Sequence, residues 1–488
     1  MAKILIIGGG VSGLSAGIYA QLNGHEAIVC ERHNVAGGNL TGWDRGGYHI
    51  DNCVHWLTGT NPNTKFYKMW EDLGVIGKMD IVKEESLYTC EYGGERISLS
   101  RDINKLESDM LAISPKDKRE IRSFIRAIKV FQGLFDVGGE AHNEKVRLGQ
   151  ALRSAPALIR YYRMTLGEAA NRFKHPLLRF FLRAFWGEDF GAFTLIYVFA
   201  NFCGENADLP KGGSTAMAER MVERFTSLGG ELLLRKEVTK VECEDNMAKR
   251  VIFADGTSID ADYVVISGDP ARAFGGYLDA PMPEKLKELY DDSRMIRFSS
   301  YHCAFACDSD NLPFRGDYIF EVPDEYAEKL NTRRMIIREF SHEKGFSPEG
   351  KSLIQTLTYV YEDDAKAFID LKNQSKEDYK AKKKELSELV CRVIEDQLPM
   401  LKGKLKCIDV WTPATYNRYT DAEIGSWMSF ALPSKKFPSR LETTVSGLSN
   451  VILSSQWLQS PGGLPIAAEG GMRAIQTINE IEKSKTEQ

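Results

Sequence analysis

No Cys-x-x-Cys pair occurs in the 488 residues, and the cysteine count is odd, at nine. They stand scattered at 30, 53, 90, 203, 243, 303, 307, 391 and 407. That pattern argues against a disulfide framework, an iron–sulfur centre and a zinc site, and a reducing compartment is expected. Cys303 and Cys307 are the closest pair, but only His302 accompanies them, so no metal is expected. Also missing is any stretch of the about 18 uninterrupted apolar residues that a membrane span needs. The start, Met1-Ala2-Lys3, has one basic residue before an apolar run that glycines soon break. It reads as a buried strand and not as a signal peptide, which makes the cytoplasm the expected location. Neither sign of charge dominates: 63 basic and 68 acidic side chains leave a net charge of −5. Nothing there calls for nucleic acid, and Lys380-Ala381-Lys382-Lys383-Lys384 reads as a solvated helix face.

What is present fits a globular protein, with 43% hydrophobic and 27% charged residues. The chain is too long for one simple core, so two domains are expected and three are allowed. Its first residues carry the densest signal. The run Ile4-Leu5-Ile6-Ile7 leads into Gly8-Gly9-Gly10-Val11-Ser12-Gly13; a helix-like stretch and a second run, Ala27-Ile28-Val29-Cys30, follow, ending on Glu31. Strand, Gly-x-Gly-x-x-Gly turn, helix, strand and terminal acid are the parts of a dinucleotide site. Gly8 permits the tight turn, Gly10 lets backbone approach a pyrophosphate, and Gly13 lets the helix pack close to the strand. The helix N-terminus favours negative charge. Glu31 falls near the roughly 20-residue spacing expected of an acid that binds a ribose diol.

Further on, Val35-Ala36-Gly37-Gly38-Asn39 and Gly46-Gly47 suggest backbone packed against a ligand, or surface turns. Residues 64–170 read mainly as helices, with Ser114 and Pro115 opening one that runs to Phe135. A helix from Pro210-Lys211-Gly212-Gly213-Ser214 ends at Gly229-Gly230, and short strands follow. The last of these, Ala261-Asp262-Tyr263-Val264-Val265-Ile266-Ser267, has the composition of a buried parallel strand returning to the first sheet. Strands at 297–307, 335–340 and 352–361 and a helix over 376–397 are expected in the second half. The tail reads as a strand at 450–455, a Gly/Pro-rich loop to Pro465 and a closing helix.

These pieces together resemble the FAD-dependent phytoene desaturase, carotenoid isomerase and retinol saturase superfamily. The likeness rests on the fingerprint with Glu31, on Ala36-Gly37-Gly38-Asn39, and on Gly47-Tyr48-His49-Ile50-Asp51-Asn52-Cys53-Val54-His55-Trp56. It continues through Pro210-Lys211-Gly212-Gly213, Ala261–Val265, the run from Thr412 to Thr420, and Gln456…Pro461-Gly462-Gly463-Leu464-Pro465…Gly470. Two departures stand out: Asn39 replaces a frequent basic residue, and Ser454-Ser455 stand where relatives usually have a glycine. The resemblance implies an α/β fold of the amine-oxidase and phytoene-desaturase kind. Its Rossmann-type FAD-binding domain is discontinuous (1–95, 205–275 and 440–488), with an α+β substrate-binding domain inserted (96–204 and 276–439). It implies FAD, with NAD(P)H as a transient electron donor. The implied FAD contacts are Gly8, Gly10, Val11, Ser12, Gly13, Glu31, Arg32, Gly38, Asn39, Leu40, Val238, Gln456, Gly463, Leu464 and Pro465.

His55 and Trp56 are the candidates for catalysis. His55 either exchanges a proton beside a double bond or is a structural histidine, and Trp56 either walls the flavin pocket or packs in the core. Asp51 is expected to hold a helix N-terminus. Arg418 and Tyr419 either line the substrate cavity or sit on a surface strand. Aromatic residues crowd 173–202, against 10% in the whole chain. There Leu178, Phe181, Leu182 and Phe185 recur at helical spacing, as a core face or as an apolar entrance touching a membrane surface. The function expected is saturation, desaturation or isomerisation of carbon–carbon double bonds in a carotenoid, retinoid or other unsaturated lipid. The alternatives are a flavin amine oxidase and a non-enzymatic prenyl-binding protein of the GDP-dissociation-inhibitor type.

Overall fold

The run around Ile4 becomes the strand Lys3–Ile7 near the centre of a six-stranded sheet. The computed structural model describes residues 1–77, 81–135, 156, 158–436 and 438–487. Strand order in this sheet is Glu231–Leu234, Glu26–Glu31, Lys3–Ile7, Tyr263–Ser267, Leu448–Ser454 and Thr444–Val445. The first five run parallel, with Ile4 opposite both Ala27 and Tyr263, and only the short last strand is antiparallel. A parallel sheet is covered on both faces, which is why its strands read as unbroken apolar runs. Ile4, Ile6, Val29, Val265 and Ile452 pack with residues of the helices Val11–Leu22, Gly213–Ser227 and Leu464–Thr486. Leu5, Ile7, Val264, Ile266 and Val451 face a small antiparallel sheet through Val241, Val251 and Phe253. Three distant pieces of chain thus build one sheet, as the expected return of 261–267 requires.

The second large sheet has seven strands, in the order Lys406–Trp411, Phe298–Asp308, Lys351–Tyr361, Arg334–Glu339, Asp317–Glu321, Ser86–Tyr92 and Glu95–Ser100. Alternation divides its side chains between two covers. Ile319, Ile336 and Leu357 face helices Lys118–Phe135, Pro176–Arg183 and Phe193–Cys203. Phe320, Ile337 and Ile354 face the helix Lys376–Gln397 through Leu386, Val390 and Ile394.

One local expectation holds with an exception, and another is corrected. The described part of 64–170 is mainly helical, but Ser86–Tyr92 and Glu95–Ser100 interrupt it with a hairpin turning at Gly93 and Gly94, both with positive φ. The expected domain boundary at 95 falls inside this hairpin. Its side chains alternate, with Ile97 and Leu99 buried, and that period of two is the overlooked signal. Part of the same stretch, residues 136–155, lies outside the described residues. Arg418 and Tyr419 sit on a helix, Pro413–Thr420, and not on a strand. Pro413 at its first turn and a capping box from Thr412 start that helix, for the same reasons that start others.

Candidate active site

A cavity of about 900 Å³ runs from the ends of the parallel strands to the seven-stranded sheet. Gly8, Gly10, Val11, Ser12, Glu31, Arg32, Gly38, Asn39, Leu40, Val238, Gln456, Gly463, Leu464 and Pro465 all line it, as do His55 and Trp56. Gly13 is the exception. It lies behind the wall, where a Cβ would stand 1.9 Å from the Gly8 carbonyl oxygen. Its part is the close packing of helix on strand, and it makes no wall of the cavity.

The nucleotide end is a cradle of backbone. Gly37 and Gly38 have φ of 127° and 60°, and the Gly37 N–H donates to the Gly9 carbonyl at 2.8 Å. A Cβ on Gly38 would come within 3.1 Å of the Gly10 Cα. Two helix N-termini border the space, with Gly10 and Gly463 at their caps. Glu31 is buried; its carboxylate accepts N–H bonds from Gly9 at 2.8 Å and His33 at 2.9 Å. Each oxygen keeps a second lone-pair site for a ribose diol. Asn39 Oδ1 is buried with no hydrogen-bond partner among the described residues. A tight glycine cradle, two positive helix ends, a lone-pair-bearing acid and an orphaned amide oxygen fit a flavin dinucleotide. The serine departure has a local explanation. Ser454 Oγ lies 2.7 Å from Ser12 Oγ, and Ser12 Oγ donates to the Ser454 carbonyl at 2.6 Å, tying the tail strand to the first helix.

The Pro413–Thr420 helix closes this end. Arg32 pairs with Asp421 at 3.0 Å and donates to the Arg418 carbonyl at 2.7 Å. The His33 ring stacks on Tyr419, centroids 4.3 Å apart. Tyr419 and Asp421 line the cavity, whereas Arg418 meets Arg32 by its backbone alone.

At the other end the wall is aromatic and aliphatic, including Trp56, Phe185, Trp186, Phe190, Tyr359 and Trp427. Trp56 is half-buried, 5.3 Å from the Phe185 ring and 6.0 Å from Trp186. The face Leu178, Phe181, Leu182 and Phe185 is a core face: the first three are at most 1% exposed beneath this wall, and Phe185, 4% exposed, belongs to the wall itself. Among the described residues no helix is long and apolar enough to cross a membrane, all nine cysteines are free, and no His/Cys/Asp/Glu cluster suits a metal.

His55 projects from the loop after Tyr48–Asp51. Asp51 accepts from Ser214 N–H at 2.6 Å, holding the N-terminus of the Gly213–Ser227 helix as expected. The loop itself is pinned by two residues that short-range sequence patterns do not reveal. The Arg338 guanidinium donates to the carbonyls of Val54 and His55, each at 2.8 Å. It also grips the Asp317 carboxylate through Nε and Nη2, at 2.6 and 3.1 Å. Asp317 Oδ2 lies 3.6 Å from His55 Nδ1, and the His55 side chain is 26% exposed. Burial, then the Arg338 charge, lowers the His55 pKa from its ordinary value, while Asp317 and Asp51 pull it up. Burial alone would raise the Asp317 carboxyl, but Arg338 and His55 hold it below the usual range. Behind His55 a small void of about 20 Å³ separates it from His302. Burial, with His55 nearby, pushes the His302 imidazole down to about 3. That neutral ring stacks on Trp411 and bonds Ser300, Tyr416 and the Thr356 carbonyl, a structural role.

Comparison with known proteins places this geometry. The family described as flavin containing amine oxidoreductase matches residues 11–478. The chain is 22% identical to a prolycopene isomerase of Daucus carota, over 87% of this chain and 71% of that protein. It is also 22% identical to a lycopene-forming phytoene desaturase of Pseudescherichia vulneris, over 99% of this chain and all (100%) of that one. Among solved structures, an oxidoreductase from Methanosarcina mazei shares the fold at a TM-score of 0.62, with 16% identity and coverage of 98% and 100% of the two chains.

Proposed function

Because the chain belongs to the flavin containing amine oxidoreductases, in the branch of phytoene desaturases and carotenoid isomerases, we propose that this FAD-dependent oxidoreductase acts on the carbon–carbon double bonds of a long apolar polyene. One observation carries the substrate class. The only carboxylates in the cavity lining, among the described residues, are Glu31, Glu237, Asp269 and Asp421, and all lie at the nucleotide end or pair with Arg32. The aromatic end offers no counter-charge to an alkylammonium, whereas a hydrocarbon needs none. Carotenoid-type polyenes, the substrates named for the two relatives, suit that lining.

Bound flavin supplies two-electron chemistry, and the protein contributes position, electrostatics and dryness. The residues proposed for the pyrophosphate are Gly8, Gly10 and Gly38; Glu31 takes the adenosine ribose, and Val238 offers backbone to the adenine. Asn39, Leu40, Gln456, Gly463, Leu464 and Pro465 lie along the cofactor. Trp56 and Phe185 exclude water from the reacting end. Among the described residues His55 is the one imidazole on that aromatic wall, and we assign it the proton. Saturating an alkene adds two electrons and two protons; for that step His55 first takes a proton from solvent on Nε2, then gives it to the substrate and returns to its neutral form. Desaturation returns it there, and isomerisation takes and returns it with no net electron change. NAD(P)H is proposed as a transient electron donor, since the chain carries one dinucleotide fingerprint. The purified protein is expected to be yellow and to release FAD, not FMN, when denatured by heat. A colourless protein that FAD cannot reconstitute would remove the enzyme reading and favour a binding protein.

A further inference from the structure

We propose that Asp317 and Arg338 form a positioning pair that fixes the tautomer and pose of His55, with the proton on Nδ1 and Nε2 bare toward the cavity. This rests on the reading of His55 as the proton-exchanging group. Four observations converge on it. Asp317 and Arg338 stand directly opposite each other on neighbouring antiparallel strands, Asp317–Glu321 and Arg334–Glu339. Both are deeply buried, with side chains 0% and 7% exposed. The flat guanidinium holds the carboxylate by two donors and spends its remaining reach on the carbonyls of Val54 and His55. One rigid fork thus sets both the acceptor and the backbone that carries the imidazole.

Placement of the ring follows from that jig. His55 Nδ1 is buried and has no other partner among the described residues, and the Asp317 carboxylate is 3.6 Å away. That is an electrostatic contact and slightly too long for a hydrogen bond; such links often tighten when an active site fills. A proton on Nδ1 points at negative charge. A proton on Nε2 would instead turn the Nδ1 lone pair on a carboxylate, so the Nδ1–H form is favoured. The other ring edge reaches the cavity, with Phe185 edge-on at 5.8 Å. Besides Asp317 and Arg338, the titratable groups facing the ring are Asp51 and Cys53 on its own loop and His302 on the strand behind. A buried ion pair is weak evidence for stability in itself. Here its fork reaches the backbone of the candidate catalytic residue, and a charge pair needed only for the sheet would not have to.

The test is nitrogen NMR of the FAD-loaded chain with labelled histidine, the His55 signals being identified by their loss in His55→Gln. In the unsubstituted protein, at a pH where the ring is neutral, Nδ1 is expected to be protonated and Nε2 bare. Asp317→Asn is expected to scramble that preference and to move His55 protonation to lower pH, because the group that raises its pKa is gone. The same variant should lower kcat by about 10²-fold, with KM and flavin content little changed. Arg338→Lys keeps the charge but loses the fork, and is expected to lose turnover while still folding. Finding the single proton of the neutral ring on Nε2 in the unsubstituted protein would overturn the proposal without relying on any variant to fold. An Asp317→Asn chain with an unchanged tautomer, or an Arg338→Lys chain with full kcat, would overturn it too. If His55→Ala keeps full turnover, the acid–base reading fails, whatever the tautomer shows; the two failures are therefore distinguishable.

Discussion

His55→Ala is expected to keep FAD bound and to turn over about 10²–10⁴-fold more slowly, the usual span for losing a general acid or base. The expectation comes from position. The ring contacts of the imidazole are with Asp317 and Phe185, not with the residues expected at the pyrophosphate or ribose, so its loss is expected to leave the cradle of Gly10, Gly38 and Glu31 intact. Its chemistry sits at the aromatic end, where Trp56 and Phe185 exclude water and few other groups can exchange a proton. A structural histidine would give a different result: a lower melting temperature, with turnover per flavin-loaded molecule nearly unchanged. Flavin content, activity and thermal unfolding measured on one sample separate the two.

Glu31→Ala is expected to weaken FAD retention by at least tenfold while the fold survives. One or two charge-assisted bonds to ribose hydroxyls are worth roughly 1.5–3 kcal/mol each, and about 1.4 kcal/mol is a decade in affinity. The structure adds a second consequence. Glu31 also accepts the Gly9 and His33 N–H groups, so its removal loosens the turn that shapes the pyrophosphate cradle. Equilibrium titration of the apoprotein with FAD measures the change. An unaltered dissociation constant would reduce Glu31 to a strand-end residue that braces its neighbours.

The nucleotide half was legible because its information is local. Glycines, apolar runs and Glu31 lie within about thirty residues, and each has a backbone or charge reason to be where it is. The return strand Tyr263–Ser267 announced itself by the same apolar run. The walls of the other half were harder to read. The aromatic crowding at 173–202 had two readings, and only burial decides that Phe181 and Leu182 are core while Phe185, Trp186 and Phe190 reach the cavity. Asp317 and Arg338 escaped because their contacts with His55 depend on sheet register and on which face a strand presents. The signal was faint but present: in Arg334-Met335-Ile336-Ile337-Arg338-Glu339 a charge interrupts a buried strand and needs a partner. Finding that partner required knowing that 317 lies opposite 338. Ser454 shows the converse. A departure from the usual glycine proved to be a bond to Ser12, which sequence spacing alone does not join.

Whether this flavoprotein works on the double bonds of an apolar polyene is decided by mixing the FAD-loaded protein, oxidised and chemically reduced, with conjugated polyenes, retinoids, unsaturated fatty acids and alkylamines under anaerobic conditions. Flavin absorbance and product chromatography are read together. A polyene or other unsaturated lipid is expected to be converted: by the reduced form alone in saturation, by the oxidised form alone in desaturation, or with no net electron change in isomerisation. Amines should leave the flavin untouched. Reduction of the flavin by an alkylamine, with every unsaturated lipid recovered unchanged from both redox states, would contradict the polyene assignment.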